Sequence, residues 1–347
     1  MQRRTILVRA GIFAIAWALC LGPAQAQRPV TLTLGSTGLL YIPIYTADLM
    51  KQWDAVGTPV EVLYINSGSR LAAALVSGDS DVTVQSITPS FLAREKGQDT
   101  ECVGAVINQM ASNLVVSKSW AAAHHITAAT PYAEKLAALK GARIGITSPG
   151  SGSDAVARYL VGQAGLNPDR DVTIVSIGDT NSMVPALFNN SIDALTSSPP
   201  IPDIAVNKFG AVTLLDLVGG EVKSLDGFMY QGVLVKQSYA TGHRSQVIGV
   251  LRGLQRALDV IHDPARTNTA RDLVWKANYK NTDKTLFDNV WKAMEPAFPK
   301  TVELTQAKID QVLEFERAGG ANISVKVAQS GWTNDLAAEA VRMEKQK

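Results

Sequence analysis

One stretch of the chain occurs twice, and this repeat is the strongest constraint on the fold. The segment "ALVSGDSDVTVQS" at 74–86 returns as "ALFNNSIDALTSS" at 186–198, so Asp81 corresponds to Asp193, with 193 − 81 = 112. The same separation aligns "TLTLGSTG" (31–38) with "RIGITSPG" (143–150), and "VEVLYI" (60–65) with "VTIVSI" (172–177). The register holds without a gap from about residue 32 to residue 87. The sequence therefore predicts two similarly built halves.

Each half follows the pattern β-α-β-α-β, which favours parallel strands covered by helices. The predicted fold class is α/β, with two similar lobes. Further strands are predicted at "ECVGAVI", "NLVVSKS" and "FMYQGVLVKQS", and everything after about residue 240 is predicted to be helical. We expect this helical tail to cover the first lobe. Lobe I is then 27–117 plus 226–347 and lobe II is 118–225, with hinge crossings near 115–119 and 225–232.

The first 26 residues have the features of an export signal. Three arginines precede the apolar run "AGIFAIAWALCLG", which is too short to span a membrane, and "AQA" at 24–26 is a typical cleavage site. A twin-arginine export signal is an alternative to a general secretory (Sec) signal. Removal changes the net charge from +2 to 2 − 3 = −1, which gives no electrostatic case for binding nucleic acid. Cys102 is then the only cysteine, so no internal disulfide is expected.

The candidate ligand residues follow the carboxyl ends of the predicted strands. Ligands of open parallel sheets bind at these ends, and helix N-termini there offer free N–H donors. The loops are rich in small polar residues, and "TSPGSGSD" is the richest of them. In lobe I the candidates are Ser36, Thr37, Tyr41, Ser67, Gly68, Ser69, Arg70, Ser86 and Thr88; in lobe II they are Ser148, Gly150, Ser151, Gly152, Ser153, Asn181 and Ser197.

These features together resemble a known family. The segments "ALVSGDSDV", "LAALKGARIGITSPGSGSD", "YLVGQAGLNPDRDVTIV" and "PALFNNSIDAL" are similar to periplasmic solute-binding proteins of the type II fold, in the branch of sulfonate, taurine, nitrate and pyrimidine-precursor receptors. The resemblance covers most of residues 30–240. The stretch 120–130 is longer than expected, and Asn190 and Ser191 stand where a glycine usually precedes the aspartate.

The resemblance implies a monomeric periplasmic receptor. It would capture a small solute between the lobes, close by a hinge, and deliver the solute to the membrane permease of an ABC transporter. No cofactor or metal is expected. The alternatives are the receptor of an ATP-independent tripartite transporter and a pyrimidine-synthesis-like enzyme of the same fold.

The chemistry of the candidate residues favours an anion. Hydroxyl and amide donors predominate, and Arg70 could pair with a carboxylate or sulfonate, although an exposed first-turn arginine is the alternative. The sequence has no "HExxH", "CxxC" or "GxSxG" motif, so it offers no pattern for catalysis. Asp81 and Asp193 precede their strands, and we interpret them as acceptors for turn amides.

Overall fold

The structure is a computed structural model that describes residues 28–65, 67–127 and 129–346. The predicted export signal at 1–26 lies outside the described residues. No helix in the described part of the chain is long and apolar enough to cross a membrane.

Two five-stranded sheets, one per lobe, form the framework. The strands are β1 Val30–Leu34, β2 Val60–Tyr64, β3 Val82–Gln85, β4 Thr100–Ile107, β5 Asn113–Val116, β6 Arg143–Ile146, β7 Thr173–Ser176, β8 Ala194–Ser197, β9 Val212–Leu215 and β10 Gln231–Lys236. Their orders are β2-β1-β3-β10-β4 and β7-β6-β8-β5-β9. Leu32 is opposite Val62 in the first sheet, and Ile144 is opposite Ile174 in the second. Both pairs are 112 residues apart, which confirms the predicted duplication and α/β class.

Helices cover both faces of each sheet. They are α1 Ile42–Leu49, α2 Gly68–Ser77, α3 Thr88–Glu95, α4 Lys118–Ala123, α5 Tyr132–Ala137, α6 Gly152–Gln163, α7 Met183–Phe188, α8 Ile201–Phe209, α9 Gln237–Gly242, α10 Arg244–Ile261, α11 Thr267–Asn278, α12 Lys284–Met294, α13 Gln306–Ala318, α14 Val325–Ser330 and α15 Asp335–Lys345. The segment after β5 begins with the helix α4.

The first crossing between the lobes lies earlier than expected. β5 pairs with β8 and β9, with Val115 opposite Leu195, so it belongs to the second sheet rather than to lobe I. The chain therefore leaves lobe I at 108–112, before the expected pivot at 115–119 and the expected boundary at 117. It returns between β9 and β10, at 216–230, which overlaps the expected second crossing at 225–232. Gln109 Nε2 donates to the carbonyl of Leu217 at 3.3 Å, so the two crossings contact each other.

Each sheet also contains one strand that is antiparallel to its neighbours and is the first strand after a crossing, and these two strands form a second repeat. β10 pairs antiparallel with β3 as β5 pairs with β8. Val235 is opposite Val82 and Val116 is opposite Ala194, which aligns the strands at 235 − 116 = 119. The following helices preserve this register, because Tyr239 stacks on His243 at 4.5 Å between ring centroids and Trp120 stacks on His124 at 4.0 Å.

The helical tail covers lobe I but does not stop there. α10 packs against α1 and α15, and α15 packs against β4, as expected for a cover of the first sheet. α13 instead packs against α6 of lobe II, where Phe315 stacks on Tyr159 at 4.5 Å between ring centroids. Gly162 is required at this contact, because a Cβ there would lie 2.7 Å from the carbonyl oxygen of Ala318. The tail therefore bridges both lobes, which corrects its placement on lobe I alone.

The paired aspartates of the repeat anchor the starts of the central strands. Asp81 accepts the backbone N–H of Thr31 at 2.9 Å and Arg28 Nη2 at 2.8 Å. Asp193 accepts the backbone N–H of Arg143 at 2.9 Å and the same residue's Nη2 at 2.7 Å. Both carboxylates bind a neighbouring strand rather than the amides of their own turn. They lie at the end of each sheet opposite the candidate ligand loops, so they do not form a shared acid–base site.

Candidate functional site

The carboxyl ends of the central strands of both sheets face each other across a cleft. In this structure the lobes are closed, since the N–H of Leu39 donates to the carbonyl of Pro199 at 2.9 Å. The enclosed cavity has a volume of about 70 Å³. It is lined by Gly35, Ser36, Leu40, Tyr41, Gly68, Leu71, Gln85, Ser86, Thr147, Ser151, Gly152, Ser153, Thr180, Ser197, Ser198, Tyr230 and Gln231. Both lobes therefore contribute to one cavity.

Half of the predicted ligand residues line this cavity. They are Ser36, Tyr41, Gly68, Ser86, Ser151, Gly152, Ser153 and Ser197. The other eight do not line it, and they fall into three groups. Thr37, Ser69, Arg70 and Asn181 are exposed; Thr88 and Ser148 are buried outside it; Ser67 and Gly150 lie beside it in their loops.

The N-terminus of α6 provides the densest set of donors. Ser151 caps the helix by accepting the N–H of Asp154 at 3.3 Å. Its hydroxyl also lies 2.9 Å from that of Ser153 and 3.0 Å from that of Thr147. The N-terminus of a helix carries a partial positive charge, and Asp154 in the first turn of α6 offsets part of this charge. This end of α6 can therefore bind an acceptor-rich group without a cationic side chain.

Two glycines allow the lobes to approach closely. A Cβ at Gly68, the first residue of α2, would lie 3.0 Å from Cβ of Ser151 in the other lobe. A Cβ at Gly152 would lie 2.8 Å from the hydroxyl oxygen of Tyr230, which belongs to the second crossing. Larger side chains at these positions would hold the cleft open. The glycines predicted here for contact with a ligand thus also serve contact between the lobes.

The cavity has no carboxylate or basic side chain among its lining residues. Its ionisable groups are Tyr41 and Tyr230. Burial raises the pKa of Tyr41 and brings that of Tyr230 to about 12, so both phenols are neutral at physiological pH. Tyr41 accepts the N–H of Gly35 at 3.1 Å, which leaves its O–H as a donor. Arg70 is exposed outside the cavity, as in the alternative of an exposed first-turn arginine, and it provides no positive charge to the lining.

Sequence reasoning missed several lining residues. Gln85 and Gln231 lie on the neighbouring strands β3 and β10, and both are buried at 5 % exposure. The carboxamide oxygen of each glutamine has no hydrogen-bond partner among the described residues. Gln85 could have been found because it directly precedes the predicted Ser86. Gln231 begins β10, whose partners in the sheet are distant in sequence, and Tyr230 directly precedes this strand, so no local pattern points to them.

A buried carboxylic acid lies behind the cleft. Glu316 of α13 accepts the hydroxyl of Thr88, the first residue of α3, and is 5 % exposed. Burial, with a smaller contribution from the negative charge of Asp154, raises the pKa of Glu316 to about 7. Both Glu316 and Thr88 line a small void that also reaches Ser86 and Gly152 of the cleft. The group therefore lies where lobe I, lobe II and the tail meet.

The described residues contain no cluster of His, Cys, Asp and Glu that could hold a metal ion. Cys102 is buried, which raises the pKa of its thiol to about 12 and leaves it unreactive.

Two duplicated lobes, two crossings and a cleft at the carboxyl ends of the strands define the periplasmic binding protein fold, and solved structures of this fold superpose on the chain. The chain belongs to the NMT1-like family, whose model matches residues 25–274. No curated protein matches the chain.

Three solved structures illustrate the likeness. A Bordetella bronchiseptica protein has a TM-score of 0.79 at 18% identity and covers 92% of this chain and 99% of its own. The alkanesulfonate-binding protein SsuA of Xanthomonas axonopodis pv. citri, bound to MOPS, has a TM-score of 0.66 at 18% identity, covering 91% and 99%. The periplasmic nitrate-binding protein NrtA of Synechocystis has a TM-score of 0.70 at 15% identity, covering 91% and 88%.

Proposed function

We propose that this protein is an exported, monomeric solute receptor that does not catalyse a reaction. It captures a small organic anion, such as a sulfonate or a carboxylate, between its lobes and delivers it to the membrane permease of an ABC transporter. The observation that carries the proposal is the single cavity lined by hydroxyl and amide groups from both lobes. Similar structures named as alkanesulfonate-binding and nitrate-binding proteins support the class of solute.

The polar groups of the cavity suit an anion held by neutral donors. Ser151, Ser153 and the free N–H groups of α6 lie on one side, and Ser36 and the hydroxyl of Tyr41 lie on the other. Hydrogen bonds from neutral donors to an anionic head are stronger than those between neutral groups. Closure of the lobes about a hinge can be driven only by contacts that the solute makes to both lobes. Donors on both sides of the cavity meet this requirement.

A ligand screen tests the proposal directly. Purified mature protein is heated with sulfonates, nitrate, carboxylates and their uncharged amide or ester analogues. A solute at 100 times its dissociation constant should stabilise the protein by roughly 2.7 kcal/mol, which is a readily measured rise in melting temperature. Stabilisation only by uncharged analogues would reject the anion, and turnover of a bound compound would reject the receptor. Mass spectrometry of periplasmic protein should show a mature chain that begins at Gln27.

A further inference from the structure

Lobe II carries a second concave site that is larger than the cleft. It is a groove between α4, α7 and α8 with a volume of about 450 Å³. Its floor consists of the buried side chains Val184, Leu187, Ala205 and Ala211. Pockets for small molecules are mostly apolar and carry a few placed polar groups, and the groove has this composition.

Two aromatic rings form the wall of the groove. Phe188 is 61% exposed and Phe209 is 43% exposed, and their ring centroids are 5.1 Å apart. Exposed phenylalanines are unfavourable in water, so an adjacent pair above an apolar floor indicates a surface with an occupant. The contact between the two rings holds them at a tilt of 57° at the mouth.

The groove is remote from the cleft. Its residue Ser117 donates its N–H to the carbonyl of Asp193 at 2.9 Å, and Asp193 immediately precedes β8. The cleft residue Ser197 is at the other end of this strand. A strand advances about 3.3 Å per residue, so the full length of the sheet separates the two sites. An occupant of the groove does not enter the solute cavity.

The corresponding place in lobe I is a smaller and more polar concave site of about 290 Å³, lined by Gly78, Ser80, Asp81, Lys236, Ser238 and Tyr239. In the first repeat Phe188 corresponds to Val76. Gly97 and Gly210 both have positive φ and follow the ends of α3 and α8. The residues before these glycines therefore correspond, which aligns Phe209 with Lys96. The second repeat pairs Ser117 with Lys236, whose Nζ reaches across lobe I to the carbonyl of Val76 at 3.3 Å. A serine is too short for that contact. The apolar surface and the aromatic wall of the groove therefore result from three substitutions of one lobe relative to the other.

Lys118 provides a positive charge at the rim of the groove. Lys118 is exposed and makes no ion pair within the described residues, whereas its counterpart in lobe I is the neutral Gln237. Hydroxyl groups lie beside it, with Ser117 and Ser119 3.2 Å apart. Ser119 also donates to the side chain of Asn190 at 3.0 Å. A lysine beside hydroxyl donors above an apolar floor is complementary to an acid with an apolar body.

We propose that this groove binds an amphipathic organic monoanion, an aryl or alkyl acid whose body lies between Phe188 and Phe209 and whose head contacts Lys118. The main alternative occupant is a second copy of the chain. The observations favour the small molecule, because the site is concave and two exposed rings cannot supply the roughly 1,200 Å² that a stable protein interface buries.

Three matched probes test the proposal on the mature protein. They are 2-naphthoate, its neutral analogue naphthalene-2-methanol and its cationic analogue 2-naphthylmethylammonium, each titrated by calorimetry. The variants Phe188→Val, Phe209→Lys and Lys118→Gln each place the lobe I residue in lobe II. Val325→Thr serves as a control at an exposed apolar residue outside the groove. The cleft variant Gly152→Val shows whether the probe binds in the solute cavity.

We expect 2-naphthoate to bind best and the cation to bind least. Phe188→Val and Phe209→Lys should each weaken 2-naphthoate at least fivefold, and Lys118→Gln should weaken it about threefold while leaving the neutral alcohol unchanged. Val325→Thr and Gly152→Val should bind 2-naphthoate as the parent does. The proposal would be overturned if Gly152→Val lost binding of 2-naphthoate while the groove variants bound it as tightly as the parent. It would also be overturned by equal binding of the cation, or by a dimer that Phe188→Val dissociates and 2-naphthoate does not affect.

Discussion

The two lobes share a backbone plan and differ at their outer ends. At the cleft they present the same kind of chemistry, with Ser86 and Ser198 in corresponding places. At the opposite end, lobe I places Lys236 over Val76, whereas lobe II leaves Phe188 exposed above an apolar floor. The comparison teaches that the repeat is retained where both lobes must act on one cavity. It has diverged where each lobe faces its own surroundings.

Variants at the cleft should have the largest effect on ligand binding, and they compare the two lobes directly. Gly68→Val in lobe I and Gly152→Val in lobe II each insert a side chain into the contact between the lobes. Each should weaken a solute identified in the screen by on the order of 100-fold, about 2.7 kcal/mol. Small-angle scattering with that solute should show no decrease in the radius of gyration for either variant.

Gly242→Val is the control for this pair, because a Cβ there would meet nothing within 4 Å. If one of the cleft variants binds as tightly as the parent, the lobe that carries it takes no part in closure.

The next prediction concerns Glu316, the group at which the two lobes and the tail meet. Its folded-state pKa of about 7 lies above the ordinary value of 4.5, so the folded protein binds the proton more tightly. Below pH 4.5 Glu316 is protonated in both the folded and the unfolded protein, so this group does not change the stability with pH there. The free energy of unfolding falls as pH rises from 4.5 through about 7, by on the order of 3 kcal/mol at pH 8.

Glu316→Gln keeps the contact with Thr88 and removes the titration. Denaturant unfolding from pH 4 to pH 8 should therefore show a smaller loss of stability for the variant than for the parent. Parallel pH profiles of the two proteins would contradict the burial of this carboxyl between the lobes.

Much of the fold was predictable because the repeat is in register. Identical spacing of Leu32 to Val62 and of Ile144 to Ile174 reflects the pairing of real strands, which the structure confirms. The misplaced first crossing has a physical cause. β5 is antiparallel and lies between β8 and β9, and neither pairing leaves a mark in the local sequence. The second repeat, "VKQSYATGH" against "VSKSWAAAH", was the signal that could have assigned β5 to lobe II.

The site was less predictable than the fold. Serine and glycine at strand ends identified the loops, but they could not show which side chains point inwards. Arg70 lies in the first turn of α2 and is exposed, whereas Ser151 and Ser153 line the cavity. Closure also brings Tyr230 from the second crossing against Gly152, a contact between segments far apart in sequence.

The corner aspartates give a smaller and more symmetrical test. Asp81→Asn and Asp193→Asn should each destabilise by about 1–2 kcal/mol at neutral pH, because each carboxylate accepts both a strand N–H and a guanidinium. The arginines are 68% and 42% exposed, so the ion pairs themselves contribute little.

The pH dependence of Asp193→Asn sharpens this test. Arg143 lowers the pKa of Asp193, so its contribution is present above the ordinary carboxyl pKa and is lost as pH falls. The stability difference between Asp193→Asn and the parent should shrink toward pH 3 in chemical denaturation. A difference that stays constant with pH would show that the charge of Asp193 is not involved.

The smallest expected effect comes from making lobe I resemble lobe II. Lys236→Ser removes the contact with the carbonyl of Val76 and gives lobe I the residue that lobe II has at Ser117. The loss should be below about 1 kcal/mol in thermal unfolding, since the bond is long and the carbonyl gains access to water. The variant should not create a second site for 2-naphthoate, because Val76 and Lys96 still lack the aromatic surface of Phe188 and Phe209. One additional bound 2-naphthoate per chain would mean that Lys236 alone prevents binding at the lobe I site, and that the exposed rings are not what distinguishes lobe II.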